Sequence, residues 1–156
     1  MTDAFLGTDL LLYRGTTGTE AQRGEPDLQT RPGHTRPEGG GPYRDLAPVA
    51  GRDNLRQALI NRLSTRRGEL AALGHPTYGS RLYTLIGRPH TETARNLVKL
   101  FVLEALAEEP RIERRVRVAV TADPRDRTLA QVEIEVRPAA GGEAVRARLA
   151  FSFEGL

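Results

Sequence analysis

The sequence predicts an α+β fold in which about three helices pack on a small antiparallel three-stranded meander, preceded by a disordered or extended N-terminal arm. Three observations predict it. Between Asp53 and Glu108, apolar residues recur at helical spacing. From Val116 to Phe153 the period switches to two, in three separate runs. From Arg14 to Arg44 neither period is present, and Gly, Pro, Thr and Arg dominate. The chain therefore divides into an apolar anchor segment at 1–13, a flexible Gly/Pro/Arg-rich arm at 14–45 and a folded domain at 46–156. The arm has too little apolar surface to offset the entropy of ordering it.

The first helix is expected after Gly51, with Asp53 as N-cap, Leu55, Leu59 and Leu63 on one face and Gly68 at its stop. Turn chemistry follows from Gly74 to Ser80. Ser80 is placed to cap a short second helix carrying Leu82, Leu85 and Ile86, ended by Gly87 and Pro89. A third helix runs from about Thr91 to Glu108. It is apolar almost all round, which predicts a central helix covered on several sides.

The first strand alternates Val116, Val118 and Val120 with Arg115, Arg117 and Ala119. After the Asp123–Asp126 turn, Ala130, Val132, Ile134 and Val136 alternate with Gln131, Glu133, Glu135 and Arg137. After Gly141 and Gly142, Val145, Ala147, Leu149, Phe151 and Phe153 alternate with Arg146, Arg148, Ala150 and Ser152. One face is thus apolar, and the other is basic, acidic and basic from strand to strand. If the strands are sequential neighbours, Glu133 and Glu135 lie between two arginine rows, and a meander leaves two edges open to partner strands.

Composition narrows the function. The chain has 156 residues and no cysteine, which excludes disulfides and thiolate metal sites. No apolar run approaches the ~20 residues of a membrane span, and no secretory signal is visible, so a soluble protein that folds in the cytoplasm is expected. Of 23 basic residues 22 are Arg, yet 20 carboxylates are interspersed and the net charge is only +3. No aromatics alternate with the arginines, so nucleic-acid binding is not expected. The three histidines, at 34, 75 and 90, match no metal-site spacing, and no nucleotide or nucleophile fingerprint is present. No cofactor or metal is expected.

The candidate site is the exit of the third helix, Glu109-Pro110-Arg111. Proline cannot continue the helix, and it pushes Glu109 into extended backbone. Glu109 and Arg111 then share one side, a carboxylate beside a guanidinium. Such a pair suits docking onto another protein better than turnover. Beside an arginine a carboxyl loses the raised pKa that a glycosidase acid needs.

Several segments together resemble one family. They are Phe5-Leu6-Gly7, Asn54–Leu63, Thr65–Leu70, the Tyr78-Gly79-Ser80 turn within His75–Leu82, and Glu104–Ile112 ending in Glu-Pro-Arg. In this order they resemble the baseplate-wedge, or sheath-initiator, family of contractile phage tails and injection systems, often called gene-product-25-like. The resemblance covers roughly residues 46–120. It implies a non-enzymatic structural component that docks through Glu109, Pro110 and Arg111. It also implies nucleation of sheath by strand exchange on the 116–120 and 145–153 strands (Val116, Val118, Val120, Val145, Leu149, Phe151, Phe153). The implied partners are sheath, wedge, hub or spike and inner tube proteins, with six copies around the baseplate and a monomer in isolation. Assembly in the cytoplasm into a phage-tail-like particle is implied as well. A lysozyme-like tail enzyme is the alternative. Two departures stand out: Leu70 where the family often has arginine, and the long Arg14–Arg44 arm.

Overall fold

The computed structural model describes residues 6–10, 30–32 and 44–154. Most of the anchor segment and arm, including Phe5 and Leu11–Tyr13, lies outside the described residues. Four short strands come first: β1 (Thr8–Leu10), β2 (Thr30–Pro32), β3 (Arg44–Leu46) and β4 (Pro48–Ala50). The β1 strand pairs antiparallel with β4, and β2 with β3. The arm thus contributes short paired strands at 30–32 and 44–46, where the sequence shows no strand period. Pairs of three residues are too short to give an alternating pattern that sequence can show.

Helix α1 spans Gly51–Ser64 and turns Leu55, Leu59 and Leu63 into the core. Its N-cap is Ala50, not Asp53. The reason is β1: the Gly51 amide donates to the Gly7 carbonyl (3.2 Å), so the helix starts where the β1–β4 ribbon ends. Asp53 pairs instead with Arg56 one turn on (2.6 Å). Two buried amides of α1 hold β1 by its backbone. Asn54 Nδ2 donates to the Leu6 carbonyl and Gln57 Nε2 to the Leu10 carbonyl, both at 2.8 Å, while the Leu6 side chain is buried in the core.

The helix ends before Gly68. Thr65 turns extended, and its hydroxyl and amide both donate to the Asn61 carbonyl. The expected second helix is a single 3₁₀ turn, Leu82–Leu85, with Leu82 and Leu85 buried and Ile86 exposed. Helix α2 spans Glu92–Ala107 and begins at Thr91 as expected, whose hydroxyl accepts from the Ala94 amide (3.1 Å). It is not covered all round. Ala94, Val98, Phe101, Val102, Ala105 and Leu106 form one buried stripe, and Leu100 on the far side is 47% exposed. One helix against one sheet has a single face to bury.

The meander is as expected in order: β5 (Arg117–Ala122), β6 (Leu129–Val136) and β7 (Val145–Ser152), with β6 central and all pairs antiparallel. Asp123 Oδ1 builds the first turn by accepting from the amides of Arg125 (2.8 Å) and Asp126 (3.0 Å). Gly141 and Gly142, at φ 83° and 109°, make the second. Helix α2 packs on β5 and α1 on β7. On the outer face, Glu135 pairs with Arg146 (2.9 Å) and Arg117 (3.6 Å), and Glu133 with Arg148 (2.9 Å). These exposed pairs fix register more than they add stability.

Of the proposed sheath-facing residues, Val118, Val145, Phe151 and Phe153 are buried in the core, and Val116, Val120 and Leu149 pack against it. Val116 precedes β5 and Phe153 follows β7. What the sheet offers outward is backbone edge, not these side chains.

Candidate functional site

The α1 exit and the Tyr78–Ser80 turn are built as one unit. The Ser80 amide donates to the Thr65 carbonyl and the Arg67 amide to the Ser80 carbonyl, both at 2.9 Å, and the Gly68 amide donates to the Tyr78 carbonyl (3.2 Å). Ser80 is buried, and its hydroxyl donates to the Leu63 carbonyl (2.7 Å), satisfying a helix-end acceptor. Its contact with the Leu82 amide is long at 3.4 Å, so capping is the lesser part of its role. Gly79 sits at φ 104°, and a Cβ there would lie 2.7 Å from the Arg66 carbonyl carbon and oxygen. Only glycine lets the two segments approach this closely.

The bonds at 67–80 and 68–78 close the ends of an exposed loop. Within it the Leu73 amide donates to Leu70, Gly74 to Ala71, His75 to Leu70 and Tyr78 to His75. Residues 71–77 are all exposed, yet the loop carries its own hydrogen-bond scaffold, as an Ω-loop does.

Tyr78 is thereby set under Arg62, whose guanidinium carbon lies 4.5 Å from the ring centroid. Arg62 comes from the last turn of α1 and reaches Glu109, Nη2 to Oε2 at 3.2 Å. From the other side Arg111 donates through Nε to Oε1 (2.7 Å), Nη2 to Oε2 (3.2 Å) and its own amide to Oε1 (3.3 Å). One carboxylate accepts four hydrogen bonds from two arginines. Backbone geometry makes this possible. The Ile112 amide donates to the Glu109 carbonyl (3.5 Å), and the Ala139 amide to the Arg111 carbonyl (2.9 Å). The segment is thus tied to the chain that leaves β6.

The expected pairing of Glu109 with Arg111 is present, and its surroundings refine it. The Glu109 side chain is 3% exposed and Arg62 9%, whereas Arg111 is 27% exposed and Pro110 lies at the surface. Glu109 is the buried anchor; Pro110 and Arg111 are what a partner can touch. Tyr78, Gly79 and Ser80 belong to the same cluster. The strand residues expected to face sheath do not join it.

Electrostatics follow from this packing. Burial alone would raise the Glu109 pKa, but the hydrogen bonds and charge of Arg111, with the charge of Arg62, outweigh it and hold the carboxyl below its ordinary 4.5. The Arg111 pKa is raised in turn, chiefly by its hydrogen bond to Glu109. The Tyr78 hydroxyl is pushed up mainly by burial, against the opposing charge of Arg62, so it stays neutral. Asp9 of β1 adds negative potential at Tyr78 and Arg111. Because the folded pKa of Glu109 is depressed, the stability it confers is complete above the unfolded value. That stability is lost as pH falls through the folded pKa. We therefore expect an acid-unfolding component below about pH 4.5 that Glu109→Gln removes, measured as denaturation midpoint against pH. An unchanged profile in Glu109→Gln would refute the assignment.

Arg62 was not singled out by sequence. Its signal is its position: with Leu55 and Leu59 it lies on the buried face of α1, where a cation requires a partner.

The described residues thus form an α+β domain with an open-edged meander and a charge-locked helix exit. Residues 49–141 match the family model described as baseplate wedge protein gp25. The chain belongs to that family and is a tail- or baseplate-associated protein. No curated protein is detectably similar in sequence. Among solved structures, a crystal structure of a "putative tail lysozyme" from Geobacter sulfurreducens is similar. The likeness covers 64% of this chain and 88% of that one, with 22% identity and a TM-score of 0.54. At that identity the likeness concerns the fold. It nevertheless overturns the flat expectation of a non-enzymatic chain, because the fold is shared with a protein described as a lysozyme. No helix among the described residues is long and apolar enough to cross a membrane.

Proposed function

We propose that this chain is a baseplate component of a contractile tail or injection system that docks to wedge and hub proteins and starts sheath assembly by strand exchange. The observation that carries the reading is the three-stranded sheet, which ends on both sides in edge strands among the described residues. Its preformed backbone would give the first ring of sheath subunits a fixed register and spare them an unfavourable nucleus. Docking falls to Pro110 and Arg111, held outward by Glu109 and Arg62. Six copies surround the particle axis, and inner tube and spike proteins lie within reach of that ring. Assembly takes place in the cytoplasm, and the isolated chain is a monomer.

Arg111→Ala tests the docking half. Glu109 keeps Arg62, so the fold is expected to survive, checked by melting. Tagged wild type should then co-purify with wedge, sheath and tube proteins from its host, and Arg111→Ala should lose the wedge proteins. Retention of them by a folded Arg111→Ala would sink the docking site. Sheath of normal length and rate on baseplates lacking the chain would sink nucleation.

A second reading is favoured by one observation, the likeness to the lysozyme-described fold. Glycan cleavage needs a carboxyl kept protonated. Glu109 is held ionised, so another acid would have to serve. Release of reducing ends from purified peptidoglycan by the isolated protein is the measurement that would establish this reading.

A further inference from the structure

Residues 6–10 are held the way a receptor holds an extended ligand. The Leu6 side chain fills a core site at 3% exposure, while Thr8, Asp9 and Leu10 stay exposed. The rest of the grip is on the main chain. Asn54 Nδ2 takes the Leu6 carbonyl, Gln57 Nε2 the Leu10 carbonyl and the Gly51 amide the Gly7 carbonyl, and β4 adds a three-residue ladder. Asn54 and Gln57 are 5% and 3% exposed, a depth at which amide side chains are kept for hydrogen bonding. Gly7 is left-handed at φ 74°, and a Cβ there would already stand 3.4 Å from Asn54 Nδ2. Removing the segment would open the Leu6 site and strip Asn54 of the Leu6 carbonyl.

This seat between α1 and β4 reads backbone and one apolar side chain. It has no means of telling the chain's own N-terminal strand from that of another copy. Covalent geometry leaves both within reach. Residues 11–29, 19 in number, join β1 to β2, the next paired segment. At ~3.3 Å per residue they span up to ~60 Å. A domain of this size is only roughly 35 Å across. When copies stand side by side, a neighbour's seat therefore competes with the chain's own at a comparable effective concentration.

Resting on the reading above of several copies around one axis, we infer that the α1–β4 seat takes the N-terminal strand of a second copy of this chain. Exchange keeps every contact of β1 and adds a link between copies. It also has a consequence for docking. Asp9 acts electrostatically on Tyr78 and Arg111, so an incoming strand brings a carboxylate to the docking cluster and one copy completes the surface of the next.

Two variants with complementary defects test this. Leu6→Asp spoils the strand and keeps the seat, and Asn54→Ala/Gln57→Ala spoils the seat and keeps the strand. Each alone should be monomeric by light scattering, and an equimolar mixture should give a heterodimer, because an intact strand meets an intact seat only across chains. A mixture that stays monomeric, or a homodimer of either variant, overturns the inference. A free peptide of residues Ala4–Tyr13 should bind Leu6→Asp and raise its melting temperature. Adding Asn54→Ala and Gln57→Ala to that chain should weaken the peptide roughly tenfold, and equal binding overturns the assignment of the seat.

If Leu6→Asp fails to fold, cysteines decide the matter in a chain that has none of its own. Thr8 and Ala50 are exposed and opposed, and the Gly51–Gly7 bond one step along makes them a non-hydrogen-bonded pair, close enough for a disulfide. In particles from the host, oxidised Thr8→Cys/Ala50→Cys should run as covalent oligomers on a non-reducing gel. Thr8→Cys/Pro48→Cys, out of register, should not. Particles that contain the chain but yield only monomers overturn the exchange and leave the baseplate reading standing. If the mixture dimerises in solution while no particle contains the chain, the exchange stands and the baseplate reading falls.

Discussion

Glu109→Ala should destabilise the fold by about 3–5 kcal/mol, the usual cost of removing one partner from a buried ion pair. The size follows from what is left behind. Arg62 is 9% exposed, and its Nε already has no hydrogen-bond partner among the described residues. Without Glu109 its Nη2 loses its acceptor too, leaving a buried cation supported only by the face of Tyr78. Arg111 is partly exposed and can turn to water, so Arg111→Ala should cost far less. Urea denaturation of the two variants measures the difference. Equal losses would mean that Arg62 is not the group that depends on Glu109. Glu109→Gln keeps the shape and some of the hydrogen bonds, so it should fall between them.

Gly79→Ala is the second large effect, for a steric reason. At φ 104° any side chain is strained, by about 1–3 kcal/mol. The added methyl would also lie 2.7 Å from Arg66 backbone atoms, which cannot rotate away as a side-chain tip could. Relief requires parting the Thr65–Arg67 and Tyr78–Ser80 segments, with loss of their paired backbone bonds. Gly74→Ala is the control. Its φ of 86° is also left-handed, but nothing lies within 4 Å of the new carbon, so it should cost only about 1–2 kcal/mol. Similar melting temperatures for the two variants would show that close approach is not what Gly79 serves.

The parts of this molecule legible in sequence are those with local causes. Strict alternation yields β5, β6 and β7 in the right order, because a meander needs only hairpin turns. The Thr91 cap and the Pro110 stop mark α2 within a residue or so. Glu109 and Arg111 were expected together for a local reason that proved different: a turn through Pro110 and Arg111, closed by the Ile112 amide on the Glu109 carbonyl, replaces the extended backbone that proline was expected to impose. What stayed hidden depends on distant pairs. Arg62 and Glu109 are 47 residues apart, and nothing local says that the end of α1 meets the end of α2. The clamp on Leu6 and Leu10 is equally nonlocal, and Asn54 and Gln57 look like ordinary polar helix residues until β1 lies against them. The apolar surround of α2 misled for another reason. Leu100 adds hydrophobicity to the stretch but stays 47% exposed among the described residues.

The loop closed by Thr65–Gly68 and Tyr78–Ser80 has a consequence for how such a protein can change over generations. Its shape is set by backbone bonds and by Gly79, while the side chains of residues 71–77 lie in solvent and the Leu73 side chain is largely free. Replacements at the tip therefore leave the scaffold intact, and selection can alter what the tip meets without altering how the domain folds. Drift would be expected to concentrate there, and invariance at its two closing strands.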